Sequence, residues 1–299
     1  MPEVIEVRKY ADFIRSRVLG KALQDIIVQG GRYKKHGSED LRDVNLPSKV
    51  TSVENKGKFM YIGFQSGQFI GVTLGLSGGW MFQSKRPKQL EWGLDPGYDL
   101  SEQDIQEDPY LQKTIRHINV VFVFPNGELY FYDTLSFGTL KLFSSQEELN
   151  KKLKTLGPDI MDPDLEVSVF EDQLNKYPSK PIGNVLMNQK VVSGVGNYLR
   201  ADALWLAKIS PFRKVKDIES SERKRLFHFL RSLIWNQYNR TRGIRLGIVK
   251  KSDKRPEDYD REFFVYQEDT DIHGNPVTKQ KLYEGSQVRH IFWVKEVQE

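Results

Sequence analysis

After Pro2 the apolar residues Val4, Val7, Ala11, Ile14 and Val18 recur at steps of three and four. That spacing predicts one face of an amphipathic helix, with Gly20 to stop it. The period then changes. Runs rich in β-branched and aromatic residues at 24–29, 58–64, 69–74, 118–124 and 128–133 predict strands. Pro125-Asn126-Gly127, between the last two, is a hairpin signal. Several short strands with little helix between them predict a sandwich or barrel. Ser145-Gln146-Glu147-Glu148 reads as a capped helix start, and Leu156-Gly157-Pro158-Asp159 as the exit into a linker. From about residue 165 the pattern is helical through Trp235. Residues 241–261 are polar and charged and read as a long loop. Phe263-Phe264-Val265-Tyr266 and Ile291-Phe292-Trp293-Val294 return to β character.

The 299 residues suffice for two modest cores. No apolar run approaches the roughly 20 residues of a membrane span. Glu3 and Glu6 stand where a signal peptide would be basic. Neither a membrane nor a secretory segment is therefore expected. Cysteine is absent, which excludes disulfides, thiolate catalysis and cysteine-ligated zinc, and the 5 scattered histidines argue against any other protein-ligated zinc. Charge changes the picture more. Residues 1–150 carry a net −1 and residues 151–299 a net +6, with 13 basic against 4 acidic side chains in 190–245. Such a patch suits a polyanion, although a solvated helical surface explains the charge equally well.

Four segments carry candidate chemistry. Met1-Pro2-Glu3 opens the chain, and a small second residue permits removal of Met1, which leaves Pro2 with a free secondary amine. An α-amino group titrates near pH ~8, so part of it is unprotonated at neutrality. Its attack on a sugar C1′ gives an iminium that acidifies the C2′ proton, and the neighbouring Glu3 can move protons. Taken alone, most chains that begin this way use these residues for nothing. Lys56-Gly57-Lys58 leads into a strand, where a glycine admits a ligand and Lys58 can hold a phosphate; surface lysines there are also common. Residues 181–200 read as a helix, the glycine-rich turn Gly194-Val195-Gly196, and a second helix capped by Asn197. Amides exposed at such a helix start, with Asn197 beside them, form a phosphate site or simply a structural turn. Finally, 271–277 and 287–294 read as two arms of a β-hairpin, with Arg289 as a phosphate clamp or an ordinary edge arginine.

Taken together these segments resemble the formamidopyrimidine-DNA glycosylase and endonuclease VIII family over nearly the whole chain. On that resemblance Pro2 matches the nucleophile, Glu3 the general acid/base and Glu6 a supporting acid. Lys58 matches a phosphate-contacting lysine. Asn197 matches the asparagine of the helix–two-turn–helix motif, whose Gly-x-Gly-Asn is intact, and Arg289 the arginine of a terminal β-finger. Four cysteines usually hold zinc in that finger. The aligned positions hold Thr270, His273, Val294 and Val297, so the resemblance is to members with a zincless finger, and it implies that Val294 and Val297 replace the metal by packing. Three side chains of the family fill the gap left by an extruded base, and these align with Leu76, Leu135 and Phe137.

Two departures stand out. The family's Gly-Pro after the catalytic glutamate is Val4-Ile5, and the arginine that contacts the orphaned base is Leu135. The resemblance implies an α+β protein. An N-terminal β-sandwich with a catalytic N-terminal helix (1–150) precedes a helix–two-turn–helix DNA-binding domain (151–262) and a zincless β-hairpin finger (263–299). It implies a DNA glycosylase and abasic-site lyase that removes oxidised bases, pyrimidines favoured, without cofactor or metal. Its partner is damaged DNA in duplex, bubble or single-stranded form, and it is expected to act as an intracellular monomer. A damage-binding protein that kept the fold and lost turnover is the alternative. A module that shares only the helix–two-turn–helix leaves the matches at Pro2, Glu3, Lys58 and Arg289 unexplained.

Overall fold

The computed structural model describes residues 2–35, 39–86, 88–245, 263–284 and 287–298, and the chain divides into two compact units, Met1–Lys154 and Thr155–Glu299. The first opens with the helix Val4–Val18, which ends as Gly20 takes a left-handed φ of 76°. All five residues of the apolar stripe are buried, joined by Ile5, Tyr10 and Phe13. The buried face is wider than one stripe because the helix packs on strands of both sheets.

Two antiparallel sheets make up the sandwich. One runs Ala22–Leu23, Ser48–Lys56, Phe59–Phe64, Phe69–Thr73, Thr139–Phe143; the other runs Asp25–Val28, Ile118–Phe124, Gly127–Asp133, Gly78–Ser84, Leu90–Trp92, Asp95–Leu100. The five expected strands all form, with ends shifted by one residue where a turn intrudes: Lys58 sits in a turn and the strand begins at Phe59. Pro125 and Asn126 close the hairpin by pairing Phe124 with Gly127. One core holds helix and sheet residues together, among them Phe13, Ile14, Met60, Val72, Trp80, Phe122 and Phe131. Burying each such side chain contributes roughly 1.5–3 kcal/mol.

In the second unit the helices are Val167–Asn175, Ile182–Val185, Asn197–Leu206 and Ser220–Arg245, followed by the hairpin Thr278–Glu284 and Gln287–Trp293. Three expectations change here. Residues 156–159 are no free linker. The Gly157 N–H donates to the Gln189 carbonyl at 2.9 Å, and the Ser193 hydroxyl donates to the Gly157 carbonyl at 3.1 Å, so this stretch belongs to the helical unit's own hydrogen bonding. The expected loop at 241–261 is still helical through Arg245, and its remainder lies outside the described residues. Residues 263–266 form no strand, for a reason that appears below. Among the described residues no helix is long and apolar enough to cross a membrane.

Helix and sandwich meet without space for a side chain at Gly79. A Cβ there would lie 2.2 Å from the Tyr132 hydroxyl and 2.3 Å from that of Tyr10, which hydrogen-bond each other at 2.8 Å. Burial raises both phenols well above their ordinary range, so the pair stays neutral. Gly79→Ala is expected to cost about 1–3 kcal/mol of unfolding free energy in urea titration, because neither ring has room to retreat.

Candidate active site and nucleic-acid contacts

The opening helix presents its first residues in an unusual way for acidic side chains. Glu3 is the N-cap, in extended conformation, and its carboxylate is entirely buried. A reciprocal capping box holds it: the Glu3 N–H donates to the Glu6 carboxylate at 2.8 Å, while the Glu3 carboxylate accepts from the Glu6 N–H. Pro2 stands just ahead of it, half-buried. The positive end of the helix dipole favours the carboxylate and disfavours a protonated amine at Pro2.

Lys58 lies toward this same end of the helix. Gly20 donates to the Val50 carbonyl at 2.9 Å, and Arg15 reaches the Val53 carbonyl and the Glu54 carboxylate. Walking back along the helix therefore means walking up Ser48–Lys56 to the turn Gly57-Lys58. Gly57 takes a φ of 53° there, which lets two residues join strands whose ends, Lys56 and Phe59, pair directly.

The sheet register brings the three residues expected to fill the base gap, Leu76, Leu135 and Phe137, to that edge. Phe59 pairs with Thr73 and Thr73 with Thr139, so Lys58, Leu74 and Gly138 all border one end of the five-stranded sheet. Asp133 pairs with Gly78 in the other sheet. The segments 74–77 and 134–138 are thus neighbouring crossovers between the sheets, paired at both ends. A Cβ on Gly75 would lie 2.6 Å from the Phe137 backbone, which shows how closely they run. Leu76, Leu135 and Phe137 ride on these crossovers and are 45, 52 and 56% exposed. Apolar side chains so placed have no core to serve; they suit intrusion into a base stack.

A residue that sequence reasoning missed organises both crossovers. Asp133 is fully buried, and its carboxylate accepts from Ser77 Oγ at 2.6 Å, the Tyr33 hydroxyl at 2.9 Å and the Gly138 N–H at 2.7 Å. Ser77 Oγ in turn accepts from the Leu135 N–H at 2.8 Å. Ser136, between the two wedge residues, is held at a positive φ of 57°, a conformation that non-glycine residues adopt only when their surroundings impose it.

In the second unit the helix Asn197–Leu206 is the organiser. Gly196, extended, is its N-cap, and Asn197 is its first helical residue; the expectation that Asn197 itself caps the helix is corrected. The Asn197 carboxamide oxygen is free of capping because it accepts from the buried Arg200 guanidinium. Asp202 of the same helix accepts from the N–H groups of Phe264, Val265 and Tyr266 at 3.1, 3.0 and 3.1 Å. Three successive amides turned onto one carboxylate cannot also serve a sheet, which is why 263–266 is a turn. The Trp205 indole donates to Asp271 at 3.2 Å.

Asp271 explains a further correction. Residues 271–277 are no hairpin arm: the Asp271 carboxylate gathers the His273 and Asn275 N–H groups at 2.9 and 2.8 Å and the Asn275 amide at 2.9 Å, which winds the segment into a turn. The true first arm is Thr278–Glu284, whose Leu282 pairs with the exposed Arg289. The finger does not fit a zinc ion. Val294 is fully buried, Val297 is partly buried against the same apolar cluster, the Asp271 carboxylate is occupied by four donors and the Asp202 carboxylate by three backbone N–H groups. Apolar packing of the two valines and a buried polar network from one helix together hold this segment.

Comparison with known proteins accords with this architecture. Residues 1–140 match the formamidopyrimidine-DNA glycosylase N-terminal domain and residues 156–244 the formamidopyrimidine-DNA glycosylase H2TH domain. The chain is a β-sandwich protein with a helix–two-turn–helix unit, and it belongs to the formamidopyrimidine-DNA glycosylase family. It is 26% identical over 231 residues to the Bacillus cereus enzyme of that name, covering 76% of this chain and 74% of the relative. It is 25% identical over 271 residues to that of Rickettsia bellii, covering 90% and 89%. Its fold matches the crystal structure of the Lactococcus lactis protein non-covalently bound to DNA with an abasic site, at a TM-score of 0.74, 19% identity and full coverage of both chains.

Two outcomes are expected. Asp133→Ala strands two buried donors and one part-buried donor and should lower unfolding free energy by about 2–3 kcal/mol in denaturant melts, an effect larger than that of an exposed ion pair. At Asp271 burial alone pushes the carboxyl up, but donation from Asn275, His273 and Trp205 outweighs it and holds the carboxyl below its ordinary value. A depressed folded-state value means stabilisation present above roughly pH 4, the unfolded value, and lost as pH falls further. Amide protection in the finger hairpin should hold down to about that pH and then fail ahead of the sandwich, with Asp271→Asn failing already at neutrality.

Proposed function

We propose that this chain is a bifunctional DNA glycosylase and abasic-site lyase of base excision repair, acting on oxidised bases. The observation that carries the proposal is the buried Glu3 directly after Pro2, at a helix start that points toward the sheet edge bearing Lys58 and three exposed apolar side chains. The relatives are named DNA glycosylases, and the Lactococcus lactis relative binds DNA with an abasic site.

With Met1 removed, the unprotonated Pro2 nitrogen attacks C1′ of an extruded nucleotide; the bond from C1′ to the base breaks, the base leaves with that electron pair, and the proton shed by the Pro2 nitrogen neutralises it. Glu3 protonates the sugar ring oxygen as the ring opens, which leaves a charged iminium between Pro2 and C1′. The iminium withdraws electrons, a base takes the C2′ proton, and the 3′ phosphate departs in β-elimination; δ-elimination of the 5′ phosphate follows the same logic. Glu6 holds the Glu3 backbone in place. Lys58 neutralises a phosphate beside the lesion, and Asn197 and Arg289 in the second unit hold phosphates elsewhere. Leu76, Leu135 and Phe137 fill the vacated stack. Leu135 offers shape and no hydrogen bond to the orphaned base, so oxidised pyrimidines and ring-opened purines are accepted with little regard to what lies opposite. The reading as a binding protein that has lost turnover rests on Val4-Ile5 and Leu135-Ser136, but Val4 and Ile5 are buried in a regular first turn with Glu3 in place, and Leu135-Ser136 lies on a crossover outside that turn.

Single-turnover assays test the roles separately. Glu3→Gln should lose at least about 100-fold in base release while retaining cleavage of preformed abasic DNA, and Pro2→Gly should lose both. Equal loss of the two activities in Glu3→Gln would remove the acid/base assignment. On the same lesion, duplex and single-stranded rates should agree within about tenfold, because unpairing costs least where pairing is already absent. Leu135→Arg should raise duplex preference and introduce opposite-base selectivity; a sharp opposite-base dependence in the native protein contradicts the wedge assignment.

A further inference from the structure

The helix–two-turn–helix and the finger each offer one candidate phosphate contact, Asn197 and Arg289, and a third residue joins them. Arg200 is fully buried, yet it is an arginine in a helix otherwise dominated by apolar residues. One end of its guanidinium donates to the Gly183 carbonyl at 3.0 Å, in the first helix of the motif. The other end donates to the Asn197 carboxamide oxygen and, at 3.0 Å, to the carbonyl of His290. His290 is the residue after Arg289 on the second finger strand. A buried guanidinium is costly to desolvate, and an apolar side chain of similar size would fill the same volume at lower cost. Its planar fork, however, reaches three segments at once, which no apolar residue and no lysine can do.

We propose that Arg200 is a positioning residue that couples Asn197 to Arg289, so that the two grip DNA as one rigid unit. The orientation of the Asn197 amide is fixed because its oxygen is taken by Arg200, which leaves the amide nitrogen as the donor for a ligand. The strand carrying Arg289 is fixed because its next carbonyl is taken by the same side chain. A ligand bound at either position therefore finds the other already placed, and the ordering cost of the second contact is met in the fold. This rests on the assignment of Asn197 and Arg289 as DNA contacts. A finger held by a metal would need no such link; here the link runs through a side chain of the recognition motif itself.

The test is a double-mutant cycle read as binding of a duplex carrying a tetrahydrofuran abasic analogue, across a salt series, with full-length protein. In the native background Arg289→Ala should weaken binding about tenfold and make the salt dependence shallower by roughly one counterion. Arg200→Met alone should produce nearly the same loss and the same change of slope, although it removes no phosphate contact. In the Arg200→Met background Arg289→Ala should then add less than about twofold. The single-turnover rate at saturating DNA should stay unchanged in Arg200→Met, a split that a merely damaged fold does not give. Arg200→Lys, which keeps the charge and reaches fewer acceptors, should fall between the two. If Arg289→Ala has no effect in the native background, the DNA-contact assignment fails, whatever Arg200 does. If it has its full effect in both backgrounds, the contact stands and the coupling is overturned. If neither Arg200 variant melts cooperatively, the residue is a core requirement and the coupling is overturned as well.

Discussion

The proposed chemistry makes the chain terminus a reagent, which it can be only if something holds it still, and the burial of the helix Val4–Val18 in the sandwich does so. Its apolar face is built into the core, so its first turn is as fixed as the sheets. The capping box between Glu3 and Glu6 then carries that rigidity one residue beyond the helix, to the peptide that joins Pro2. The substitution of Val4-Ile5 for the family's Gly-Pro fits this requirement: both side chains are fully buried and add apolar contact where the helix begins. The same constraint explains a fully buried glutamate. A carboxylate at a helix start is stabilised by the exposed amides and the dipole even out of water.

Buried polar hubs do the remaining positioning. Asp133 ties two crossovers so that three apolar side chains stand out together, and Asp202 and Asp271 shape the segments leading into the finger. Asp202 and Asp271 each accept several backbone N–H groups, and Asp133 accepts one backbone N–H and two hydroxyls, so each buried charge is satisfied by multiple donors. One helix reaches three different parts of the finger region, through Arg200, Asp202 and Trp205. These contacts fix the hairpin from outside, because two strands alone are marginal in water.

The opening helix and central strands were legible in the sequence because their periods are clean and their stops are glycines and turns. Ser48–Lys56 was missed because its exposed positions are Lys, Thr and Glu, which dilute a β signal that the alternation of burial otherwise carries. The finger's first arm, Thr278–Glu284, was misplaced for a related reason: Thr-Lys-Gln-Lys-Leu-Tyr-Glu is almost wholly polar, since only Leu282 faces the core. Of the site, Pro2, Glu3, Lys58, Asn197 and Arg289 came from resemblance rather than from periodicity. Asp133 and Arg200 came from neither, though Arg200 and Asp202 inside an apolar helix were a visible anomaly. Charged residues at core spacing mark a buried network more often than an error of period.

The central claim is that the α-nitrogen of Pro2 forms the covalent bond to the sugar. Reduction of the reacting complex with borohydride, followed by proteolysis and mass spectrometric mapping of the peptide that carries the deoxyribose remnant, tests it most directly. The account places the remnant on the N-terminal peptide, with Met1 absent and the added mass on Pro2. A remnant on Lys58 or any other lysine, with Pro2 unmodified, would contradict it.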